Sequence, residues 1–159
     1  MNRAALLARL AELGLTLPPV AAPVAAYVPA VRSGDYVYTS GQLPFVAGAL
    51  STTGKVGVGA DLVDPAVAKG LARTAALNAL AAVLSVVDED VRLRVVKVVG
   101  FVSSAPDFTG QPGVVNGASE LLGEVMGEAG IHARSAVGVA VLPLDSPVEV
   151  ELIVELTHP

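Results

Sequence analysis

Arg134 is the side chain in this sequence best suited to binding a small organic acid. It opens a β-branched segment, residues 134–141, in which the side chains of a strand would alternate between two faces. Three minimal side chains share its face: Ala136, Gly138 and Ala140. This pattern predicts a hollow with a guanidinium at one end, and a guanidinium binds a carboxylate by two parallel hydrogen bonds. The alternative is an arginine at a strand start that reaches water or pairs with a structural acid.

Glu149 is the second candidate, because it begins the last predicted strand beside a turn over residues 143–147. Alternation places it on the polar side of that strand with Glu151 and Glu155, which we expect to be solvated. If the last two strands form a hairpin, Arg134 and Glu149 lie at its opposite ends, about 20 Å apart. A site that uses both groups would then have to take them from different subunits.

Four further polar residues could line a site: Tyr27, Ser40, Gln42 and Asn116. Ser40 and Gly41 end a predicted strand, where backbone N–H groups can face a ligand, and glycine permits close backbone approach. Asn116 falls in the first turns of a predicted helix, so it either caps that helix locally or faces the ligand.

The composition excludes several classes of protein. The chain has 159 residues, 53% of them hydrophobic and 16% charged, which fits one globular domain and not a disordered chain. It has no cysteine and two histidines, so a disulfide scaffold, a Cys-ligated zinc site, a thiol nucleophile and a His-rich metal site are excluded. The net charge of −5 and the absence of tryptophan argue against a nucleic-acid partner.

The apolar residues show neither a secretion signal nor a membrane span. Charges interrupt the N-terminal apolar residues, and the longest apolar run, residues 75–87, is shorter than the roughly 20 residues that cross a bilayer. We therefore expect a soluble cytoplasmic protein with no membrane partner. The mean hydropathy of +0.64 is high for a small monomer and indicates apolar surface buried between subunits. The alternative is that alanine and valine alone raise this value.

The periodicity predicts a terminal helix over residues 2–13, a proline-rich tether that ends at residue 23, and then one α+β domain over residues 24–159. Within the domain the predicted order is β, β, α, β, α, β, β, over residues 27–31, 36–40, 65–87, 94–103, 112–127, 133–142 and 148–156. Asp64-Pro65 is typical of a helix start. Two helices cover only one face of a sheet, which again indicates an oligomer.

Several short motifs together carry a family resemblance over about residues 24–157. They are Tyr27, Thr39-Ser40-Gly41-Gln42-Leu43-Pro44, Asn116, Ala133-Arg134-Ser135, and Leu142-Pro143 with Glu149 fifteen residues after Arg134. In combination they resemble the RidA (YjgF-like) family of reactive-intermediate imine deaminases, also labelled liver perchloric-acid-soluble proteins or endoribonucleases. The resemblance implies a chorismate-mutase-like α+β fold, with a mixed sheet and two helices packed on one face. It also implies a homotrimer whose sheets form a central barrel, with clefts between subunits.

In these clefts, active members of the family hydrolyse 2-aminoacrylate-type enamines or imines to 2-oxo acids and ammonia, without a cofactor or metal. Carried over by position, Arg134 would bind the carboxylate of the small ligand, and Glu149 would activate the attacking water as general base. The remaining cleft residues would be Tyr27, Ser40, Gly41, Asn116 and Ala136.

The sequence departs from the best-known members at several points. Ala136 stands where many carry cysteine, His132 stands near a common proline, the spacing from Asn116 to Arg134 is one residue longer, and residues 1–23 are extra. These features resemble a divergent subgroup. His132 is then either a second acid/base near the cleft or a surface histidine.

Two other functions compete with imine hydrolysis. A non-catalytic binder or sensor of small 2-oxo acids or other carboxylates would need Arg134 but not Glu149. An endoribonuclease ranks third, because the ten basic residues are dispersed and the chain is acidic.

Overall fold

A computed structural model describes residues 1–20 and 26–158. Its three helices and five strands follow the predicted order. In chain order they are α1 (Arg3–Glu12), β1 (Ala30–Ser33), β2 (Tyr36–Thr39), α2 (Pro65–Leu84), β3 (Arg92–Ser103), α3 (Gln111–Met126), β4 (Ala133–Val139) and β5 (Val148–Thr157). The predicted α+β class is confirmed.

Helix α2 begins where the sequence predicts. Asp64 Oδ1 accepts a hydrogen bond of 2.8 Å from the Ala66 N–H, and Pro65 occupies the first turn. The helix ends at Leu84, before the predicted end at Val87. By length and composition α2 could cross a membrane, but 67% of its apolar window is buried inside the domain. It is therefore the core helix of the fold.

The sheet has the order β1-β2-β5-β3-β4, with β3 and β4 parallel and all other neighbours antiparallel. The last two strands do not pair as a hairpin, because β3 lies between them. Helix α3 carries the chain from the end of β3 back to its start, so β4 must run parallel to β3. The edge strand β4 then leads into β5, which is paired on both sides.

Helices α2 and α3 cover one face of the sheet. The buried side chains of that face are Val37, Val95, Val98, Val102, Val150, Leu152 and Val154. A side chain at Gly117 would overlap the Lys69 carbonyl oxygen of α2, and one at Gly100 would overlap Val115 of α3. These two glycines let α3 lie directly against both α2 and β3.

The opposite face, which we call the open face, carries apolar side chains. Val31, Tyr36, Tyr38 and Val137 are between 38% and 53% exposed there. This confirms that the two helices cover only one face of the sheet. A second copy of the chain as the partner of the open face remains a prediction.

Helix α1 closes the ends of the other two helices. Arg3 Nη1 donates to the Leu84 carbonyl of α2 at 3.0 Å, and Arg9 Nε donates to the Glu124 carbonyl of α3 at 3.0 Å. A cation at a helix C-terminus is favourable because it faces unpaired carbonyls and the negative end of the helix dipole. Helix α1 therefore packs onto the rest of the chain rather than projecting from it.

The chain near the tether departs slightly from the prediction. Residues 15–20 are non-helical, as predicted, and the end of the tether at Pro23 lies outside the described residues. Strand β1 begins at Ala30 rather than Tyr27, so Tyr27 precedes the sheet. A tight turn at Gly34, which has a φ of +58°, joins β1 to β2. The domain boundary after residue 23 remains a prediction.

Candidate functional site

Arg134 lies on the edge strand β4, in register with Val98. Because paired residues share a face, its side chain is on the helix-covered face, where it reaches α3. Nη1 donates to Asn116 Oδ1 at 2.8 Å and to Ser119 Oγ at 3.2 Å, and Nη2 donates to the Pro112 carbonyl at 3.2 Å. All three acceptors are neutral. Within the described part of the chain, no carboxylate lies at ion-pair distance from this guanidinium.

The guanidinium keeps donor capacity for a ligand. Arginine has five N–H donors, and the described chain accepts hydrogen bonds from Nη1 twice and from Nη2 once. The Nε–H and one Nη2–H are therefore left over. A carboxylate accepts two such hydrogen bonds in parallel. The arrangement holds the charge in place without neutralising it.

The predicted hollow beside Arg134 is partly filled. A side chain at Gly138 would lie 2.7 Å from Gln111 Nε2 and 3.1 Å from Ser104 Oγ, so the Gln111 amide occupies that end. Gln111 Nε2 also donates to the Phe108 carbonyl at 2.7 Å, which fixes it there. Ala136, the residue between Arg134 and Gly138 on this face, is half-buried and packs against the core. The Gln111 amide therefore fills the Gly138 end of this face.

Asn116 does not cap α3. The residue at the N-cap position is Gly110, and no side chain caps this helix end. Instead, Asn116 lies one turn into the helix and its Oδ1 orients the guanidinium of Arg134. Of the two interpretations left open by the sequence, the local cap is wrong.

Two further residues belong to this cluster: Ser119, which was not predicted as a site residue, and His132, for which the sequence left open a second acid/base or a surface histidine. Ser119 Oγ lies 2.9 Å from His132 Nε2, and His132 Nδ1 lies 2.6 Å from the Gly130 carbonyl. The spacing of these two residues in the sequence does indicate that they could lie beside Asn116 and Arg134. Ser119 follows Asn116 by three positions on α3, so both face the same way, and His132 shares a strand-like alternation with Arg134.

Glu149 lies at the start of β5, in register with Phe101. Its neighbours Val148 and Val150 are buried on the helix side, so Glu149 points to the open face. Burial raises the pKa of the half-buried Glu149 carboxyl, and the nearby charge of Glu151 raises that pKa further. Glu151 was expected to be solvated, but it is itself partly buried and its own pKa is raised by burial.

Gly41 is in direct contact with the Glu149 side chain. A Cβ at position 41 would overlap the Glu149 carboxylate, so any other residue there would force the carboxylate to move. The backbone around it is held on both sides, because the Ser40 N–H donates to the Pro29 carbonyl and the Gln42 N–H donates to the Val150 carbonyl, each at 2.8 Å. The Gly41 N–H itself meets no acceptor within residues 1–20 and 26–158.

Ser40 adjoins Gly41 in this second group, and Tyr27 precedes Val28, which Ser40 contacts. Ser40 Oγ donates to the Val28 carbonyl at 2.7 Å, so the hydroxyl fixes the segment that follows Tyr27. Tyr27 is 44% exposed. The structure therefore brings the predicted residues together as two groups. Arg134, Asn116 and Ala136 form one group on the helix-covered face. Glu149, Gly41 and Ser40 form the other, in which Glu149 points to the open face.

A surface cavity of about 460 Å³ borders the Arg134 cluster at His132. It is lined by Tyr36, Arg94, Val95, Val96, Ile131, His132, Ala133 and Glu155. It contains neither Arg134 nor Glu149, so it does not replace the predicted site. In the described residues no group of three or more His, Asp and Glu side chains could hold a metal ion.

Known proteins resemble the chain over nearly its whole length. The profile of the family described as "YjgF/chorismate mutase-like, putative endoribonuclease" matches residues 7–156. Protein TCP17 of Trypanosoma cruzi is 44% identical over 155 residues, which cover 95% of this chain and 94% of TCP17. The crystal structure of Atu1372 from Agrobacterium tumefaciens, a protein of unknown function, is 46% identical with a TM-score of 0.83. That match covers 97% of this chain and 94% of Atu1372.

A third relative, from Shewanella oneidensis, is described as a putative endoribonuclease. It is 34% identical with a TM-score of 0.86, and the match covers 94% of this chain and 98% of that one. The family profile covers both Arg134 and Glu149, and the matches to TCP17 and Atu1372 extend over nearly the whole chain. The chain therefore belongs to the YjgF/RidA family, in a divergent subgroup with Atu1372 and TCP17.

Proposed function

We propose that this protein hydrolyses small 2-imino or 2-enamino acids, of the 2-aminoacrylate type, to 2-oxo acids and ammonia without a cofactor. The observation that carries the proposal is the guanidinium of Arg134. It is oriented by three neutral acceptors, has no carboxylate partner in the described residues, and retains two N–H donors. These properties suit the carboxylate that every such substrate bears.

The reaction needs binding of the substrate and a series of proton transfers from the protein and water. An enamine first takes a proton at C3 and releases one from nitrogen, which gives the imine. A water oxygen then bonds to C2 while the water proton passes to a base. Proton transfer to nitrogen and cleavage of the C2–N bond release ammonia and leave the 2-oxo acid. No electrons are gained or lost in this sequence.

Glu149 suits the role of base in that step. A general base is most effective when its pKa approaches the working pH, and burial shifts the pKa of Glu149 in that direction. The Gly41 N–H beside it, which has no acceptor among the described residues, could donate to the developing oxygen or to the substrate. Asn116 and Ala136, beside Arg134, and Tyr27 and Ser40, near Gly41, would complete the binding surface.

A single chain does not bring the carboxylate binder and the base together. Arg134 points to the helix-covered face and Glu149 points to the open face. We therefore place the site between subunits of a homotrimer, with Arg134 from one chain and Glu149 from another. The uncovered apolar residues of the open face support such an assembly.

The direct test measures ammonia release when a pyridoxal-phosphate dehydratase generates 2-aminoacrylate in the presence of this protein. We expect the wild type to accelerate the release and Arg134→Ala to lose the acceleration. Arg134→Lys keeps the charge but lacks the two parallel donors, so we expect KM to rise roughly 10-fold to 100-fold. Wild-type protein with no effect above the background rate would exclude the enzyme function.

A non-catalytic carboxylate binder is the second candidate. It is favoured by one observation: the contacts that orient Arg134 are complete within one chain and do not involve Glu149. Thermal shift with 2-oxobutyrate separates the two functions. An enzyme should lose turnover but keep binding in Glu149→Gln, whereas a pure binder shows no turnover in any variant.

Endoribonuclease activity ranks third although the family description includes it. The net charge of −5 gives RNA phosphates little to bind. RNA cleavage that persists through stringent purification and disappears in Arg134→Ala would reverse this ranking.

A further inference from the structure

The cluster behind Arg134 contains a chain of hydrogen bonds that the proposed reaction does not use directly. It runs from the Gly130 carbonyl through His132 and Ser119 to the guanidinium. The distances are 2.6 Å from Gly130 O to His132 Nδ1, 2.9 Å from His132 Nε2 to Ser119 Oγ, and 3.2 Å from Ser119 Oγ to Arg134 Nη1. All three contacts are at least partly shielded from solvent.

With a neutral imidazole, the two ends of this chain determine where each proton lies. A carbonyl oxygen can only accept, so His132 Nδ1 must carry a hydrogen. In a neutral imidazole the other nitrogen, Nε2, is then an acceptor, and the Ser119 hydroxyl must donate to it. The lone pairs of Ser119 Oγ are thereby left for a group that can only donate. The guanidinium of Arg134 is such a group.

We propose that His132 and Ser119 are positioning residues that orient the Arg134 guanidinium for the substrate carboxylate; this rests on the proposed function. His132 sets the direction of the Ser119 hydroxyl, and Ser119 with Asn116 holds both hydrogens of Nη1. The Nε–H and Nη2–H edge of the guanidinium then stays turned toward the ligand. His132 itself touches neither the ligand nor the reacting atoms.

The histidine at position 132 is one of the points at which this sequence departs from the best-known members of the family. His132 stands two residues before Arg134, and a proline could neither donate to Gly130 nor accept from Ser119. The histidine therefore adds a support for the arginine that a proline at this place lacks. It acts as a structural orienter rather than as a second acid or base.

Three variants test the kinetic consequence. We expect Ser119→Ala and His132→Leu each to raise KM for the imine, and Kd for 2-oxobutyrate measured by calorimetry, by about tenfold, because one hydrogen bond to a charged group is lost or misdirected. The value of kcat should change by less than about twofold, since the carboxylate contact is equal in ground and transition states. His132→Gln, whose Oε1 can accept from Ser119, should recover most of the affinity.

Two comparisons separate positioning from loss of fold. His158→Leu removes the other histidine, which is exposed near the C-terminus, and should leave KM and Kd unchanged. The double variant of His132→Leu with Ser119→Ala should bind no more weakly than either single variant, because both break the same chain. Additive losses, or an unchanged Kd in both single variants, would overturn the proposal.

Nuclear magnetic resonance tests whether His132 and Ser119 position Arg134, even if the protein shows no turnover. Long-range proton–nitrogen correlation spectra at mildly alkaline pH should show His132 as the Nδ1–H tautomer, and slow rotation of the Arg134 guanidinium that speeds up in Ser119→Ala. An Nε2–H tautomer, or rotation that Ser119→Ala leaves unchanged, refutes the positioning role. Wild-type protein that binds no 2-oxo acid but shows both signatures refutes the proposed function and keeps the positioning role.

Discussion

Arg134 and Glu149 flank the same strand, β3, yet point to opposite faces of the sheet. Arg134 on β4 is in register with Val98, and Glu149 on β5 is in register with Phe101. Val98 and Phe101 are an odd number of residues apart, so their side chains, and those of the partners beside them, face opposite ways. The separation of the two groups is therefore fixed by strand register and not by a flexible loop.

Mixing two inactive variants tests whether one site takes its groups from two chains. Arg134→Ala and Glu149→Gln are each expected to be inactive alone. In hybrid trimers refolded from an equal mixture, a site is intact when one chain supplies an unmutated Arg134 and its neighbour supplies an unmutated Glu149. In a closed ring this holds for about a quarter of the sites. Ammonia release near that fraction of wild type confirms a shared site.

The control for this experiment mixes each variant with itself. A hybrid preparation that stays as inactive as these controls, while size-exclusion chromatography shows exchanged subunits, would contradict a site between chains. A wild-type protein that is monomeric in dilute solution would contradict it too.

The raised pKa of Glu149 has consequences for both activity and stability. Because the base must be ionised, kcat/KM should fall on acidification at a higher pH than for an ordinary carboxylate. A carboxyl with a raised pKa in the folded state favours folding fully below its usual pKa, and this contribution is lost as the pH rises through the raised value. Glu149→Gln should therefore be more stable than wild type at neutral pH, with the difference vanishing in acid.

The measurement for this prediction is the midpoint of thermal unfolding across the acid range. Glu89→Gln is the control, because Glu89 is exposed and makes no ion pair among the described residues. Its midpoint should change little with pH relative to wild type. A Glu149→Gln variant that is less stable than wild type at neutral pH would show that the carboxylate has a stabilising partner instead.

The contact of Gly41 with Glu149 predicts a local effect on activity. Gly41→Ala places a methyl group where the Glu149 carboxylate lies, so the carboxylate must move. We expect turnover to fall by about 100-fold, comparable to the smaller effects of removing a general base. Binding of 2-oxobutyrate to Arg134 should fall much less. Gly70→Ala, at a helical position with open space around it, is the control and should retain full activity.

Alanine substitutions at two glycines of α3 are expected to change the stability of the fold in opposite directions. Gly117→Ala would overlap the Lys69 carbonyl and push α3 away from α2, an overpacking change that costs about 1–3 kcal/mol. Gly123→Ala meets no atom nearby and gains helix propensity, which stabilises by up to about 1 kcal/mol. Thermal unfolding should show a lower midpoint for the first variant and an equal or higher one for the second. Equal midpoints would mean that the helices are not closely packed at Gly117.

Local patterns in the sequence were sufficient for the elements and for the faces of individual strands. The start of α2 at Asp64-Pro65 was predictable because capping involves adjacent residues. The common face of Arg134 and Ala136 was predictable because strand alternation has a period of two. The candidate residues followed from the same local patterns and from short motifs. Strand ends shifted by a few residues where pairing, and not local preference, decides them.

Tertiary structure alone decided which strands pair and which side chains meet. Pairing depends on the path of the whole chain, so the parallel placement of β4 beside β3 was not readable from the turn over residues 143–147. The contact of Gly41 with Glu149 joins segments far apart in sequence, and the support of Arg134 by Ser119 and His132 joins a helix to a strand. Such contacts form only when packing brings their elements together, because no short-range rule links the residues.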